Sequence, residues 1–109
     1  MSNYATGARI ERLGITLLRR NGYYCMRSAG SKGAFDIICW RAESGDDMRC
    51  IQFKKAESFD KSDFAKMEAV AVPPGAVREL WSWDGTGDWE CWWHGGAPGN
   101  WTHRTGTEL

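Results

Sequence analysis

The sequence predicts an α/β domain of mixed α+β type, with a central mixed β-sheet flanked by helices in the order α-β-β-β-α-β(-β). Three observations lead there. Apolar residues recur at helical spacing over residues 4–20 and again over 60–72. Between these segments lie three strand-like runs joined by short loops. One or two further strand-like runs follow Pro73-Pro74-Gly75.

In the first helix, Ile10, Leu13, Gly14, Leu17 and Leu18 fall on one side at about 100° per residue. Arg9, Arg12, Arg19 and Arg20 form a basic stripe on another arc, and Glu11 lies at the far border of the apolar face. Asn21-Gly22 ends the helix, glycine being the usual left-handed cap. The strands cover 23–28, 35–41 and 48–54, each rich in aromatic, β-branched or Cys residues. Ala29-Gly30-Ser31-Lys32-Gly33 is a small-residue turn, and Glu43-Ser44-Gly45-Asp46-Asp47 a hairpin loop. The second helix carries Phe64, Met67 and Val70 or Ala71 at helical spacing and stops at the prolines. Residues 77–83 read as a strand, followed by the turn Asp84-Gly85-Thr86-Gly87-Asp88 and a strand over 89–93. The Gly-rich, polar stretch of about 95–109 predicts a loosely held tail.

A length of 109 residues suits one domain, spanning 1–109, with a single core. Apolar residues at 42% and charged residues at 26% describe a globular chain rather than a disordered one. No apolar run approaches the ~20 residues that cross a bilayer, and no signal-peptide core is present. The expectation is a soluble, cytoplasmic protein without a membrane partner. Cys25, Cys39, Cys50 and Cys91 form no CxxC pair and predict buried, reduced thiols. Zero net charge conceals an asymmetry: residues 1–58 carry ten Lys/Arg against six Asp/Glu, and 59–109 carry four against eight. A basic half suits one face turned to an anion; chance clustering of solvated charges explains it as well.

The chemistry rests on an ordered set of residues. Asp36 opens the second strand, and Gln52-Phe53-Lys54 closes the third, sixteen residues later. If the two strands form the hairpin their loop implies, these groups converge, since residues 52 and 54 share a face. The Asp36 carboxylate, the Gln52 amide oxygen and the Phe53 carbonyl are oxygen donors suited to a hard divalent cation. Lys54 beside them could orient a water or neutralise charge on a phosphate. The plainer alternative makes Gln52 and Lys54 the polar face of an edge strand and Asp36 a turn residue.

The flanking residues weigh against that alternative. Arg27-Ser28-Ala29-Gly30-Ser31-Lys32-Gly33-Ala34-Phe35-Asp36, with Gly7-Ala8-Arg9-Ile10-Glu11 before it and Ile51-Gln52-Phe53-Lys54 after it, resembles the archaeal-type Holliday junction resolvases. These belong to the PD-(D/E)xK nuclease superfamily, which has phage-encoded relatives, so the cytoplasm could be that of a phage host. The resemblance covers about residues 3–83. It implies a restriction-endonuclease-like fold and a Mg²⁺-dependent endonuclease, Mn²⁺ being the expected substitute. It further implies a homodimer that resolves four-way DNA junctions by paired cuts. By this resemblance Glu11, Asp36 and Gln52, with the Phe53 carbonyl, surround the metal. Lys54 is then the catalytic lysine, and Ser31 lies near the scissile phosphate. Arg9 and Arg27 would contact the DNA backbone. Arg12, Lys32 and Lys55 lie on segments bordering the same site, and Ser28 and Gly30 lie in the Arg-Ser-x-Gly-Ser segment; all five are further DNA-contacting candidates.

Gln52 departs from the family, which usually has Glu there. An amide ligates Mg²⁺ without contributing charge, so metal affinity should fall unless Glu11 compensates. Two alternatives stand beside the resolvase: a less selective DNA endonuclease, and a catalytically silent DNA-binding module. Trp81, Trp83, Trp89 and Trp93 share parity across a predicted hairpin and suit a core, a subunit interface or a stacking surface for bases. His94 and His103 receive no role. Lys61 and Lys66 fit either a phosphate-binding surface or an ordinary exposed helix face.

Overall fold

The computed structural model describes residues 3–28, 33–56, 58–107 and 109, with side chains from Gly7 onward. Helix α1 (Asn3–Arg20) leads into strands β1 (Tyr23–Arg27), β2 (Ile37–Arg41) and β3 (Arg49–Lys55). Helix α2 (Lys61–Glu68) precedes β4 (Val77–Trp83), β5 (Trp89–His94) and β6 (Trp101–Thr105). The six strands form one sheet in chain order. Every neighbouring pair is antiparallel except β3–β4, which runs parallel. A parallel pair needs a crossover, and α2 supplies it. The sheet is therefore mixed, with a helix against each face.

Side-chain alternation sorts the two faces. On the α1 side lie Tyr23, Cys25, Ile37, Cys39, Ile51, Phe53, Trp81, Trp89 and Cys91, which join Ile10, Ile15 and Leu18 in the buried core. All four cysteines are buried free thiols, as their apolar surroundings suggest. Glu79 is buried in this layer, where it pairs with Arg49 at 3.1 Å and accepts a hydrogen bond from the Trp81 indole at 3.0 Å. Burial pushes its carboxyl above the ordinary range, and those two partners offset part of the shift. On the other face α2 seats Met67 against the sheet beside the fully buried Leu80. Phe59, Phe64, Trp92 and Trp101 form an aromatic cluster there.

Several elements differ from the sequence expectation. In α1 the buried ridge is Ile10, Gly14 and Leu18, with Ile15 beside it, whereas Leu13 is 36% exposed. The helix rests on an i, i+4, i+8 row, and Leu13 turns outward. Helix α2 is shorter than the expected 60–72. Asp60 caps its start, and the Ala69 amide closes its end on the Ala65 and Met67 carbonyls. The Arg78 guanidinium then takes the Met67 and Val70 carbonyls, so no further helical turn is needed to satisfy them.

The expected loose tail is corrected by β6, which pairs with β5 from Glu90↔Thr105 to His94↔Trp101. The Gly-rich stretch is the turn of this hairpin, closed by the Gly95 amide on the Asn100 carbonyl. Trp101 donates its indole N–H to Glu68 at 2.7 Å, and Arg104 lies 4.1 Å from the centre of the Trp93 ring. The Trp face over β4 and β5 is largely core: Trp81 and Trp89 are 1% and 6% exposed and pack on Phe53, so neither is open to a nucleobase.

Candidate active site

Glu11, Asp36, Gln52, Phe53 and Lys54 lie toward one end of the sheet, where β1 and β3 finish and β2 begins. Asp36 is fixed there by three backbone contacts. Its amide donates to the Ile51 carbonyl at 2.8 Å, and its carbonyl accepts from the Ser28 amide at 2.8 Å. Its Oδ2 accepts from the Phe53 amide at 2.8 Å. The aspartate thus bridges β1 and β3, and its carboxylate lies beside the backbone of Phe53. This follows from the β2–β3 register, in which Ile37 faces Ile51 and the preceding Asp36 falls at the level of Gln52. Because β3 is third of six strands, Gln52 and Lys54 lie on an interior strand, and the edge-strand alternative does not hold.

Glu11 reaches the same end of the sheet from α1. Its side chain is 14% exposed, and its Oε1 accepts from Arg27 Nε at 2.7 Å. Arg27, 60% exposed at its side chain, thereby tethers the end of β1 to α1 while keeping surface toward solvent. Burial pushes the Asp36 carboxyl above its ordinary value. The nearby Glu11 charge adds to that rise; the Phe53 amide, Lys54 and Arg27 oppose it. Glu11, Asp36, Arg27 and Lys54 therefore form one electrostatic unit.

Gln52 places its amide head next to the Phe53 carbonyl, with Nε2 at 3.5 Å. Two of the expected oxygen donors are thus adjacent, although the amide must turn over to present Oε1 instead of Nε2. Lys54 extends on the α2 side of the sheet to Asp63, with Nζ 3.4 Å from Oδ1. Sequence reading passed over Asp63. Its signal was the pair Asp60 and Asp63, spaced as an N-cap and its N3 partner, which places a carboxylate at the start of α2.

Among the described residues, no three His, Cys, Asp or Glu side chains are grouped to hold a metal. The oxygen-bearing groups at this sheet end are two carboxylates, Asp36 and Glu11, with the Gln52 amide and the Phe53 carbonyl. Such a set would fit a hard, oxygen-seeking cation: the donors are oxygens, and a cation would offset the rise that burial, with the Glu11 charge added, imposes on Asp36.

The DNA-contacting candidates divide. Arg9 and Lys55 share one cleft with Trp83 and Asp84. Arg9, Arg12 and Arg20 line an adjoining groove along α1. Lys54 and Lys55 point to opposite faces of the sheet, so they serve different surfaces. Ser28 is exposed and contributes its amide to Asp36. Gly30, Ser31 and Lys32 lie outside the described residues.

No family model matches the chain, and no curated protein matches it in sequence. Its structure is similar to that of Archaeoglobus fulgidus Hjc, a Holliday junction resolvase from an archaeal hyperthermophile, with a TM-score of 0.62. Sequence identity is 19%, and the match covers 79% of this chain and 70% of the other. That likeness establishes a shared fold. Among the described residues no helix is long and apolar enough to cross a membrane.

Proposed function

We propose that the chain is a Mg²⁺-dependent DNA endonuclease that cuts four-way junctions as a homodimer. The observation that carries this reading is the meeting of Glu11, Asp36, Gln52, the Phe53 carbonyl and Lys54 at one sheet end, on a fold shared with a junction resolvase. Charge and geometry support it. Asp36 and Glu11, whose charges are met here by Arg27 and Lys54, would hold a divalent cation, and the Gln52 and Phe53 oxygens would add neutral donors. Bound there, Mg²⁺ or Mn²⁺ would polarise a phosphodiester and acidify a water. Lys54 would neutralise charge building on the phosphate or orient the attacking water. Arg9, Arg12 and Lys55 would hold the DNA backbone without reading its sequence, so binding should weaken steeply with salt.

The deciding experiment compares a labelled synthetic four-way junction with its linear duplex, each in Mg²⁺ and in EDTA. Paired nicks in the junction that require Mg²⁺ and spare the duplex are the expected result. Equal cutting of both substrates would reduce the reading to a less selective endonuclease. Junction binding with no cutting in Mg²⁺ or Mn²⁺ would make the chain a binding module, with Gln52 as the reason.

A further inference from the structure

We infer that Asp63 is the positioning residue for Lys54, an inference that rests on the nuclease reading above. Lysine is a long, flexible side chain whose ammonium acts only where it is held. The β3 strand supplies no anion on the Lys54 face, because the other polar residue there, Gln52, is neutral. Asp36, at the start of β2, acts on Lys54 through its charge, and the ion-pair contact comes from the crossover helix. Asp63 presents Oδ1 to Lys54 at 3.4 Å, and the two side chains are 16% and 29% exposed. The distance is longer than a tight charged hydrogen bond, so Asp63 draws the ammonium to its side by charge and leaves its donors for a phosphate or water.

Both Asp63 oxygens have partners: Oδ2 accepts from the Asp60 amide at 2.9 Å, which closes the capping box at the start of α2. That arrangement sets Asp63 apart from the metal donors and makes it a fixed anchor. At the other end of the helix, Arg78 from β4 holds the Met67 and Val70 carbonyls. Helix α2 is therefore tied at its C-terminal end to the sheet face that bears Gln52 and Lys54, and the capping box holds the Asp63 carboxylate in place at its start.

The test compares wild type, Asp63→Asn and Asp63→Glu by single-turnover junction cleavage, junction affinity in EDTA, the Mg²⁺ concentration for half-maximal rate, and Tm. Asn keeps an acceptor for the Asp60 amide, so the helix still starts normally. The expected result is a rate about ten- to a hundredfold lower in Asp63→Asn. Junction affinity and Mg²⁺ requirement should be unchanged, and Asp63→Glu should recover most of the rate. Wild-type cleavage by Asp63→Asn would overturn the inference. So would a rate loss matched by a fall in Tm and not rescued by Glu, which would mean a structural role only. A raised Mg²⁺ requirement would place Asp63 in the metal set and overturn it too. If wild type cuts nothing, the nuclease reading fails instead. The ¹⁵N signal of the Lys54 ammonium then decides the anchoring on its own: retention of a slowly exchanging resonance in wild type and its loss in Asp63→Asn uphold it, and identical spectra refute it.

Discussion

The Asp36 carboxyl is partly buried, hydrogen-bonded to the Phe53 amide and close to a second carboxylate, Glu11. Its folded-state value is raised by burial, so the protonated form favours the fold. That contribution is complete below the ordinary aspartate value of 3.8 and is lost as pH rises through the raised value. At neutral pH the ionised group thus costs metal-free stability. Asp36→Asn should therefore raise Tm in EDTA at pH 7 while abolishing cleavage and preserving junction binding. A lowered Tm would show that the ionised carboxylate is better solvated than its burial suggests. Gln52→Glu adds a negative charge to the same pocket. It should keep or lower the Mg²⁺ concentration needed for cutting, and a complete loss of activity would show that the neutral amide is required. The level of Asp36 beside Gln52 was legible in the sequence because a short hairpin loop and a two-residue period leave little freedom in register. Asp63 was not, because its approach to Lys54 depends on where the crossover helix settles, and no local periodicity encodes that.

At the scale of elements, the packing of α1 on β3 turns on Gly14. A Cβ there would collide with the Phe53 ring, which is hemmed in by Trp81 and Trp89. Gly7, on the same helix, has nothing within 4 Å of an added Cβ. Alanine is the better helix former by about 1 kcal/mol, whereas overpacking a core costs about 1–3 kcal/mol. Gly7→Ala should thus stabilise the protein by up to about 1 kcal/mol, and Gly14→Ala should destabilise it by about 1–2 kcal/mol; urea unfolding measures both. Since the Phe53 amide also holds Asp36, Gly14→Ala should slow cleavage, and an unchanged rate would show that the ring yields without moving its backbone. The apolar stripe of α1 could be read from spacing, but its centre could not, because Leu13 and Ile15 are equally apolar and only the helix's rotation on the sheet chooses between them. Likewise the expected length of α2 followed Val70 and Ala71, whereas Arg78, from a strand ten residues further on, ends the helix early. The missed β6 lay behind a Gly-rich turn and takes its anchorage from Glu68, far away in sequence.

For the whole molecule, the sheet is two antiparallel meanders, β1–β3 and β4–β6, joined by the parallel β3–β4 pair. The fold class could be read in advance, since local runs and the helical crossover determine it; the joining of the two meanders could not, because it depends on pairing between distant strands. Interior strands open last. Amides of β3 should therefore exchange with solvent most slowly and those of the edge strands β1 and β6 soonest; hydrogen exchange read by mass spectrometry would contradict this arrangement if β3 exchanged with the edges. The proposed site residues all precede α2 or lie at its start, so the second meander supplies them with no ligand. Its part is to close the far side of β3, which is held antiparallel on one flank and parallel on the other. A slip of β3 by one residue would have to break both ladders, and it would turn Gln52 and Lys54 to the opposite face. The working geometry is consequently all or none: partial damage by heat or denaturant should reduce the number of competent molecules in a sample, leaving the turnover of each survivor as it was.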